Sequence, residues 1–312
     1  MKPLSAVPNS PHSGHNRHLG LGLLLAVAGS VAFSGKAIIV KLAYRYGVDP
    51  VTLIMYRMLF ALPLFVGMAW WATYRSAAPV PALTRHDLWG LLALGFSGYY
   101  LASFLDFWGL QYISASLERL ILYLNPTLVL LLGWGLYGRR ITWRQAGAMA
   151  LSYTGVLVVF GQELRLDGSQ TAWGALLVLG SAISYAVYLV YSGEMVKRLG
   201  SLRLVGWATS IACLLCLFQF ALLRPWSAAL VAPEVIALSV LNAVACTAAP
   251  VVMVMMGIER LGAGLAAQAG MVGPMSTIVL GVWVLGEPLT PWVVLGTALV
   301  VAGVLWVSRQ KA

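Results

Sequence analysis

The sequence predicts an all-α integral membrane protein with ten transmembrane helices, arranged as two inverted five-helix repeats. Three observations predict this fold. Of the 312 residues, 60% are hydrophobic and only 10% are charged, whereas soluble domains carry about 25% charged residues. Apolar stretches that could cross a bilayer, each of which needs about 20 residues, recur along almost the whole chain. The chain also matches itself when it is shifted by 148 residues.

Ten apolar stretches follow one another and leave little room for a soluble domain. They are 19–43, 50–72, 88–110, 115–137, 143–160, 172–193, 203–223, 235–257, 261–285 and 291–307. Residues 1–18 are polar and rich in Pro, Ser, Asn and His, and they predict a disordered cytoplasmic tail. The apolar run after the tail is longer than that of a secretory signal, so we expect it to be retained as the first helix.

The histidines and cysteines are weak candidates for metal or redox chemistry. His12, His15 and His18 recur at every third position, but a solvated tail does not order metal ligands. Cys213 and Cys216 form a C-x-x-C, although the thioredoxin motif belongs to a soluble βαβ unit. Packing inside a span explains such thiols better. We therefore expect no metal and no cofactor.

The net charge of +10 indicates membrane topology and not nucleic-acid binding. The two termini and the even-numbered loops hold 13 Lys and Arg residues, whereas the odd-numbered loops hold 4. Positive charge accumulates on the cytoplasmic side of membrane proteins. The sequence therefore predicts a multi-pass protein of the plasma (inner) membrane with both termini in the cytoplasm.

The 148-residue shift aligns a framework of Gly and Pro, the residues that set backbone shape and allow close helix contact. The matched pairs include Gly109 with Gly257, Pro126 with Pro274, Gly138 with Gly286 and Gly155 with Gly303. The copies are 19–160 and 161–312, and an odd number of spans in each copy inverts the second. Inverted repeats are typical of alternating access, with the substrate bound between them.

Pro126 and Pro274 lie within the fourth span of each copy, where proline bends a helix. They could be packing kinks, hinges beside a cavity, or both.

On these features the chain resembles the EamA family of the drug/metabolite transporter superfamily. The local signatures are YISASLERLILYLNPTLVLLL at 112–132 and LGEPLTPWVVLGTALVVAGV at 285–304. The first copy reads GRRIT where the second reads GEPLT, with Arg139 where a Glu is common, but this departure lies in a loop. The resemblance implies a cavity lined by spans one to four and six to nine. A homodimer through the peripheral spans five and ten is a further hypothesis.

Five ionisable side chains lie inside the predicted spans, all in the outer half of the first copy. They are Lys36, Arg57, Asp106, Glu118 and Arg119. A charge at a helix centre costs about 2.5–3.5 kcal/mol in lipid, so these side chains should face protein or water. The matching depths of Asp106 and Arg119 predict a salt bridge. The group is either an ion-pair network that sets helix register or a substrate site.

As a substrate site, the group would carry a charge of +1, and Lys36 or Arg57 would hold a carboxylate or phosphate. Arginine suits a bidentate grip. The second copy offers the polar candidates Tyr185, Tyr188 and Gln268, together with Asn242, Thr247 and Ser276. The candidates for ion pairing and proton coupling are Asp106, Glu118 and Arg119.

The predicted function is secondary transport of a small metabolite by alternating access. An amino acid or another anionic or zwitterionic compound is the favoured substrate, and export is the favoured direction. The alternatives are a broad drug or metabolite effluxer and a carrier of phosphorylated or sugar substrates. A channel would need a selectivity filter, and an enzyme would need a metal cluster or a nucleophile–base pair in the spans. The sequence shows neither, so we expect no catalytic residues.

Overall fold

The computed structural model describes residues 12–74, 83–138 and 140–309. The α-helices of these residues are α1 (His12–Tyr44), α2 (Pro50–Tyr74), α3 (Arg85–Gly95), α4 (Ala102–Gly109), α5 (Ala115–Leu122), α6 (Asn125–Tyr137), α7 (Trp143–Asp167), α8 (Ser169–Leu199), α9 (Ser201–Leu223), α10 (Pro233–Ala243), α11 (Ala249–Ala269), α12 (Val272–Leu280) and α13 (Pro291–Arg309). Three π-helical segments, Phe96–Leu101, Val244–Ala248 and Gly281–Leu285, join α3 to α4, join α10 to α11 and extend α12.

Seven helical segments of the described chain are long and apolar enough to cross a membrane. They are Gly20–Tyr44, Pro50–Tyr74, Arg85–Gly109, Ala115–Tyr137, Ser169–Gly193, Ser201–Leu223 and Pro233–Ile258. Two shorter apolar helical segments, Val272–Leu285 and Pro291–Trp306, follow them. The structure thus agrees with the predicted class of an all-α membrane protein.

The first helix begins earlier than the sequence suggested. α1 starts at His12, so the segment 12–18 is helical, and the expectation of a disordered tail is wrong for these residues. Residues 1–11 lie outside the described chain. Extending an existing helix is much easier than nucleating one, and no proline occurs between His12 and the apolar run.

The predicted boundary between the eighth and ninth spans lies inside α11. The helical backbone pattern continues across residues 258–260, but the path of the chain reverses close to them. Val254 lies against Gly29 of α1, and Gly270 accepts a hydrogen bond from Ser30, the next residue of α1. A straight helix would separate Val254 from Gly270 by about 24 Å, so the chain turns back within α11. A break in the helix follows at Gly270 and Met271.

Equivalent elements of the two halves lie 148 residues apart. The starts of α3 and α10 have this spacing, and so do the starts of the π-helical segments that follow them. The break between α5 and α6, at Tyr123 and Leu124, corresponds to the break between α11 and α12. Gly138 and Gly286, with φ of 63° and 75°, end the corresponding helical segments in the left-handed conformation.

The helices of the two halves pack in reciprocal pairs. α1 packs along α11 and α12, while its counterpart α8 packs along α4 and α6. α2 packs on its own counterpart α9, and α7 packs on its counterpart α13. The two halves therefore interlock.

The crossing of α7 and α13 depends on small residues. A Cβ atom added to Gly155 would lie 2.5 Å from the carbonyl oxygen of Gly296 and 2.8 Å from Cγ2 of Val300. A Cβ atom added to Gly303 would lie 2.6 Å from the carbonyl oxygen of Ala148 and 2.9 Å from the backbone N of Ser152. Small residues of this kind let helices approach closely in membranes, where packing replaces the hydrophobic effect as the driving force.

We predict that Gly155→Ala lowers the free energy of unfolding in detergent by about 1–3 kcal/mol, because the added methyl group overlaps α13. Gly161→Ala is the matched control on the same helix, since its Cβ would meet no atom within 4 Å. The control should be neutral or more stable by up to about 1 kcal/mol, owing to the helix propensity of Ala. Equal melting temperatures for the two variants would contradict the packing described here.

Candidate functional site

A cavity of about 410 Å³ lies between the two halves of the chain. Its lining from the first half includes Phe33, Lys36, Arg57, Tyr99, Asp106 and Arg119. Its lining from the second half includes Ser181, Tyr185, Val205, Thr209, Thr247 and Met255. The volume lies within the range of about 300–1,000 Å³ that is usual for small-molecule sites.

Lys36 joins three helices through two carboxylates. Its Nζ lies 2.5 Å from Oδ2 of Asp106 on α4 and 3.2 Å from Oε1 of Glu118 on α5. Asp106 is 2% exposed and Glu118 is fully buried. The prediction of a salt bridge between Asp106 and Arg119 is therefore wrong. Lys36 pairs with Asp106 instead, because its side chain on α1 faces both α4 and α5 at this depth.

Arg57 crosses from α2 to the second half of the chain. Its Nε donates a hydrogen bond to Oγ1 of Thr247 at 3.1 Å, and its guanidinium lies 5.1 Å from the ring centre of Phe107. Arg57 is 6% exposed, and its Nη1 has no hydrogen-bond partner among the side chains and backbone that the structure describes. Thr247 in turn donates to the carbonyl oxygen of Asn242 at 2.8 Å.

Arg119 is held by two hydroxyl groups. Its Nε donates to Oγ1 of Thr277 at 3.0 Å, and its Nη2 donates to Oγ of Ser34 at 2.9 Å. Within the described residues, neither Arg119 nor Arg57 forms a salt bridge. Two guanidinium groups thus line the cavity without a carboxylate partner.

The remaining candidates from the sequence occupy different places. Tyr185 lines the cavity, whereas Tyr188 stacks behind it with ring centres 5.5 Å apart. The side chain of Gln268 lies outside the described residues. Pro126 lies in the first turn of α6 and Pro274 in the first turn of α12, each just after a helix break.

The sequence did not single out Tyr99, which lines the cavity and contacts Tyr188 through hydroxyl groups 3.2 Å apart. Tyr99 lies in the π-helical segment that joins α3 to α4, and Thr247 lies in the corresponding segment of the second half. π-Helical turns are frequent at functional sites. An aromatic residue inside an apolar span carries no signal that distinguishes it from a lipid-facing one.

Two acidic side chains from other parts of the chain bind the start of α5 and hold one end of the bundle together. Glu287 accepts hydrogen bonds from the backbone N of Ala115 at 2.7 Å and from Oγ of Ser116 at 2.8 Å. Glu163 accepts from the backbone N and the hydroxyl of Ser114. Carboxylates at a helix N-terminus bond free N–H groups and oppose the positive end of the helix dipole. Glu287, from the GEPLT signature, thus ties the second half to the first.

Further polar contacts secure the same end, which we call the loop-110 end after residues 110–114. Nζ of Lys41 donates to the carbonyl oxygen of Ile113 at 2.6 Å. Asp49 accepts from Thr52 and from Nε of Arg224, the latter at 3.0 Å. Burial alone would raise the pKa of Asp49, but the hydrogen bonds from Thr52 and the charge of Arg224 hold it below its usual value.

A cavity between two interlocked sets of helices is the arrangement expected of a membrane transporter. The model of the EamA-like transporter family matches the chain twice, at residues 20–161 and 172–309. The chain therefore belongs to the EamA-like transporter family.

Named relatives agree with this membership. The chain is similar to the uncharacterized transporter YcbK of Bacillus subtilis, with 31% identity over 88% of each chain. It is also similar to a probable terminal-alkyne amino-acid exporter of Streptantibioticus cattleyicolor, with 30% identity over 70% of this chain and 71% of the relative. A crystal structure of a protein matches with a TM-score of 0.63 at 18% identity, over 93% of this chain and 99% of the other. That likeness shows the fold alone.

We predict that Lys36→Met lowers the free energy of unfolding by about 3–5 kcal/mol, because it leaves two buried carboxylates without their cation. The triple variant Lys36→Met, Asp106→Asn, Glu118→Gln should recover most of this loss, since it contains no unpaired charge. Denaturation of the purified proteins in detergent measures both values. A triple variant as unstable as the single one would show that the charges of Asp106 and Glu118 are not what Lys36 stabilises.

Proposed function

We propose that this protein is a secondary transporter that moves a small anionic or zwitterionic metabolite across the plasma membrane by alternating access. The observation that carries the proposal is the cavity between the two halves, lined by Arg57 and Arg119, neither of which has a carboxylate partner in the described chain. A buried guanidinium without an anion is costly, so an anionic group of the substrate would complete the site.

The proposed architecture has ten spans in two inverted five-helix repeats. Three observations support it: the 148-residue spacing of equivalent elements, the reciprocal packing of the helices and the two successive matches to the family model. In an inverted repeat, the break before Pro126 in one half would lie opposite the break before Pro274 in the other. We propose that these two breaks are the hinges.

The direction proposed is export, with both termini in the cytoplasm. The cavity reaches from Lys36 and Arg57 towards Val205, which lies in the second turn of α9, and so extends away from the loop-110 end. With both termini in the cytoplasm, α1 would run outwards to the loop-110 end, and the cavity would extend towards the cytoplasm. This arrangement suits the capture of a cytoplasmic metabolite.

An amino acid is one member of the proposed substrate class, and the similarity to a probable amino-acid exporter supports it. The proposed assembly is a homodimer through α7 and α13, which cover the predicted spans five and ten. Exposed apolar side chains such as Leu157 and Trp306 are available on these helices.

We predict that Arg57→Ala reduces transport at least tenfold while the protein still inserts and elutes as a folded species, because the anion loses its bidentate partner. Uptake or counterflow in proteoliposomes measures the effect. Arg57→Lys should recover only part of the activity, since an ammonium group cannot reproduce the fork. Arg165→Ala, at an exposed arginine of α7, is the matched control and should transport normally. Full activity of Arg57→Ala would remove this residue from the site.

The proposal includes proton coupling through Asp106 and Glu118. Two carboxylates that share one ammonium group can take up a proton when the helices that carry them separate. We predict that an imposed pH gradient drives substrate accumulation in wild-type vesicles and that Asp106→Asn with Glu118→Gln abolishes this dependence. Accumulation that ignores the gradient in the wild type would argue for facilitated diffusion instead.

A further inference from the structure

The acidic pair of the cavity already holds an ammonium group that belongs to the protein. Nζ of Lys36 lies within ion-pair distance of both Asp106 and Glu118, at 2.5 Å and 3.2 Å. Both carboxylates are almost entirely removed from solvent. A zwitterionic substrate needs a carboxylate for its own ammonium group, and the ammonium group of Lys36 already pairs with both acids of the cavity.

The two arginines of the cavity, unlike its two acids, form no salt bridge within the described residues. Arg57 contacts a hydroxyl group and an aromatic ring, and its buried Nη1 has no hydrogen-bond partner in the described structure. Arg119 contacts two hydroxyl groups. With Lys36 neutralising one carboxylate, the five charged groups sum to +1. A single carboxylate on the ligand would bring the site to neutrality.

Away from the loop-110 end, the cavity is lined by aromatic side chains that carry no formal charge. They are Phe33, Phe65, Tyr99 and Tyr185. The residues that correspond to Lys36, Arg57 and Asp106 in the second half are Ser184, Val205 and Val254. Val205 and Val254 line the cavity, so the internal repeat places apolar side chains where the first half has charged ones. The cavity thus offers one site for a charged group and a separate surface for an apolar body.

From these contacts we infer that the substrate is a small organic monocarboxylate with an apolar or aromatic body and no amino group. This inference rests on the proposed function and narrows its substrate class. The carboxylate binds Arg57 and Arg119, and the apolar body lies against the aromatic side chains. Lys36 acts as a specificity residue, because it pairs with the carboxylates that the ammonium group of an amino acid would need.

Three probes that share a phenylethyl unit test the inference on purified wild-type protein in detergent. They are 3-phenylpropionate, phenylalanine and 2-phenylethylamine, which carry a carboxylate alone, both groups and an amine alone. We expect 3-phenylpropionate to raise the melting temperature in a saturable way, because a ligand stabilises the state that binds it. Phenylalanine should bind about tenfold more weakly or worse, since its ammonium group would be buried without a partner. 2-Phenylethylamine should give no shift.

The variant Lys36→Met provides a second test by chemical rescue. Removing the protein's ammonium group frees Asp106 and Glu118 to bind one from the ligand. In this variant, phenylalanine should give the larger increase in melting temperature, so that the order of the two carboxylate probes reverses. The variant Asp106→Asn with Glu118→Gln is the control, because it has no acidic pair and should keep the preference for 3-phenylpropionate. If Lys36→Met does not fold, the wild-type comparison and this control still decide the question.

The outcomes separate the inference from the proposed function. Wild-type protein that binds phenylalanine as well as 3-phenylpropionate overturns the inference and leaves an anion-binding transporter in place. Binding of 2-phenylethylamine alone overturns the inference and also the anion site. If neither carboxylate shifts the melting temperature, or if Arg57→Ala retains the full shift, the inference fails together with the anion site of the proposed function.

Discussion

The contact between Lys36 and the carboxylates of Asp106 and Glu118 is the interaction on which the rest of the site depends. Charged side chains at this depth are costly unless they are paired, and here one ammonium group lies within ion-pair distance of two acids on two other helices. It therefore fixes α1, α4 and α5 relative to one another. It also determines which charges are left, because the polar contacts described for Arg57 and Arg119 are with hydroxyl groups and an aromatic ring.

Several helix pairs around this contact are held by close approach of their backbones. Glycines such as Gly155 and Gly296 bring α7 and α13 together at a distance that leaves no space for a methyl group. Gly109 and Gly174 do the same for α4 and α8. Packing of this type is tight across these two helix pairs. The hinges that we propose, at the breaks before Pro126 and Pro274, lie outside them.

The two ends of the molecule differ in their polar contacts. At the loop-110 end, Glu163 and Glu287 hold the start of α5, and Lys41 bonds the backbone just before it. The charged residues lie nearer to this end, where the side chains of Leu110 and Leu117 are fully buried. Under the proposed alternating access, opening of the cavity towards this end would break the Glu287 contacts with α5. Alternating access would thus couple the family signature in one half to the charged helices of the other.

The sequence by itself determined the helical membrane class, the 148-residue correspondence between the halves and the presence of five ionisable residues at similar depths. These features depend on composition and on position along a helix, which a linear pattern contains. Only the tertiary structure decided that Lys36 and not Arg119 binds Asp106, and that Tyr99 lines the cavity. Partner choice depends on the direction in which each side chain points around its helix axis. π-Helical turns and helix breaks rotate that direction, and no spacing rule in the sequence records the rotation.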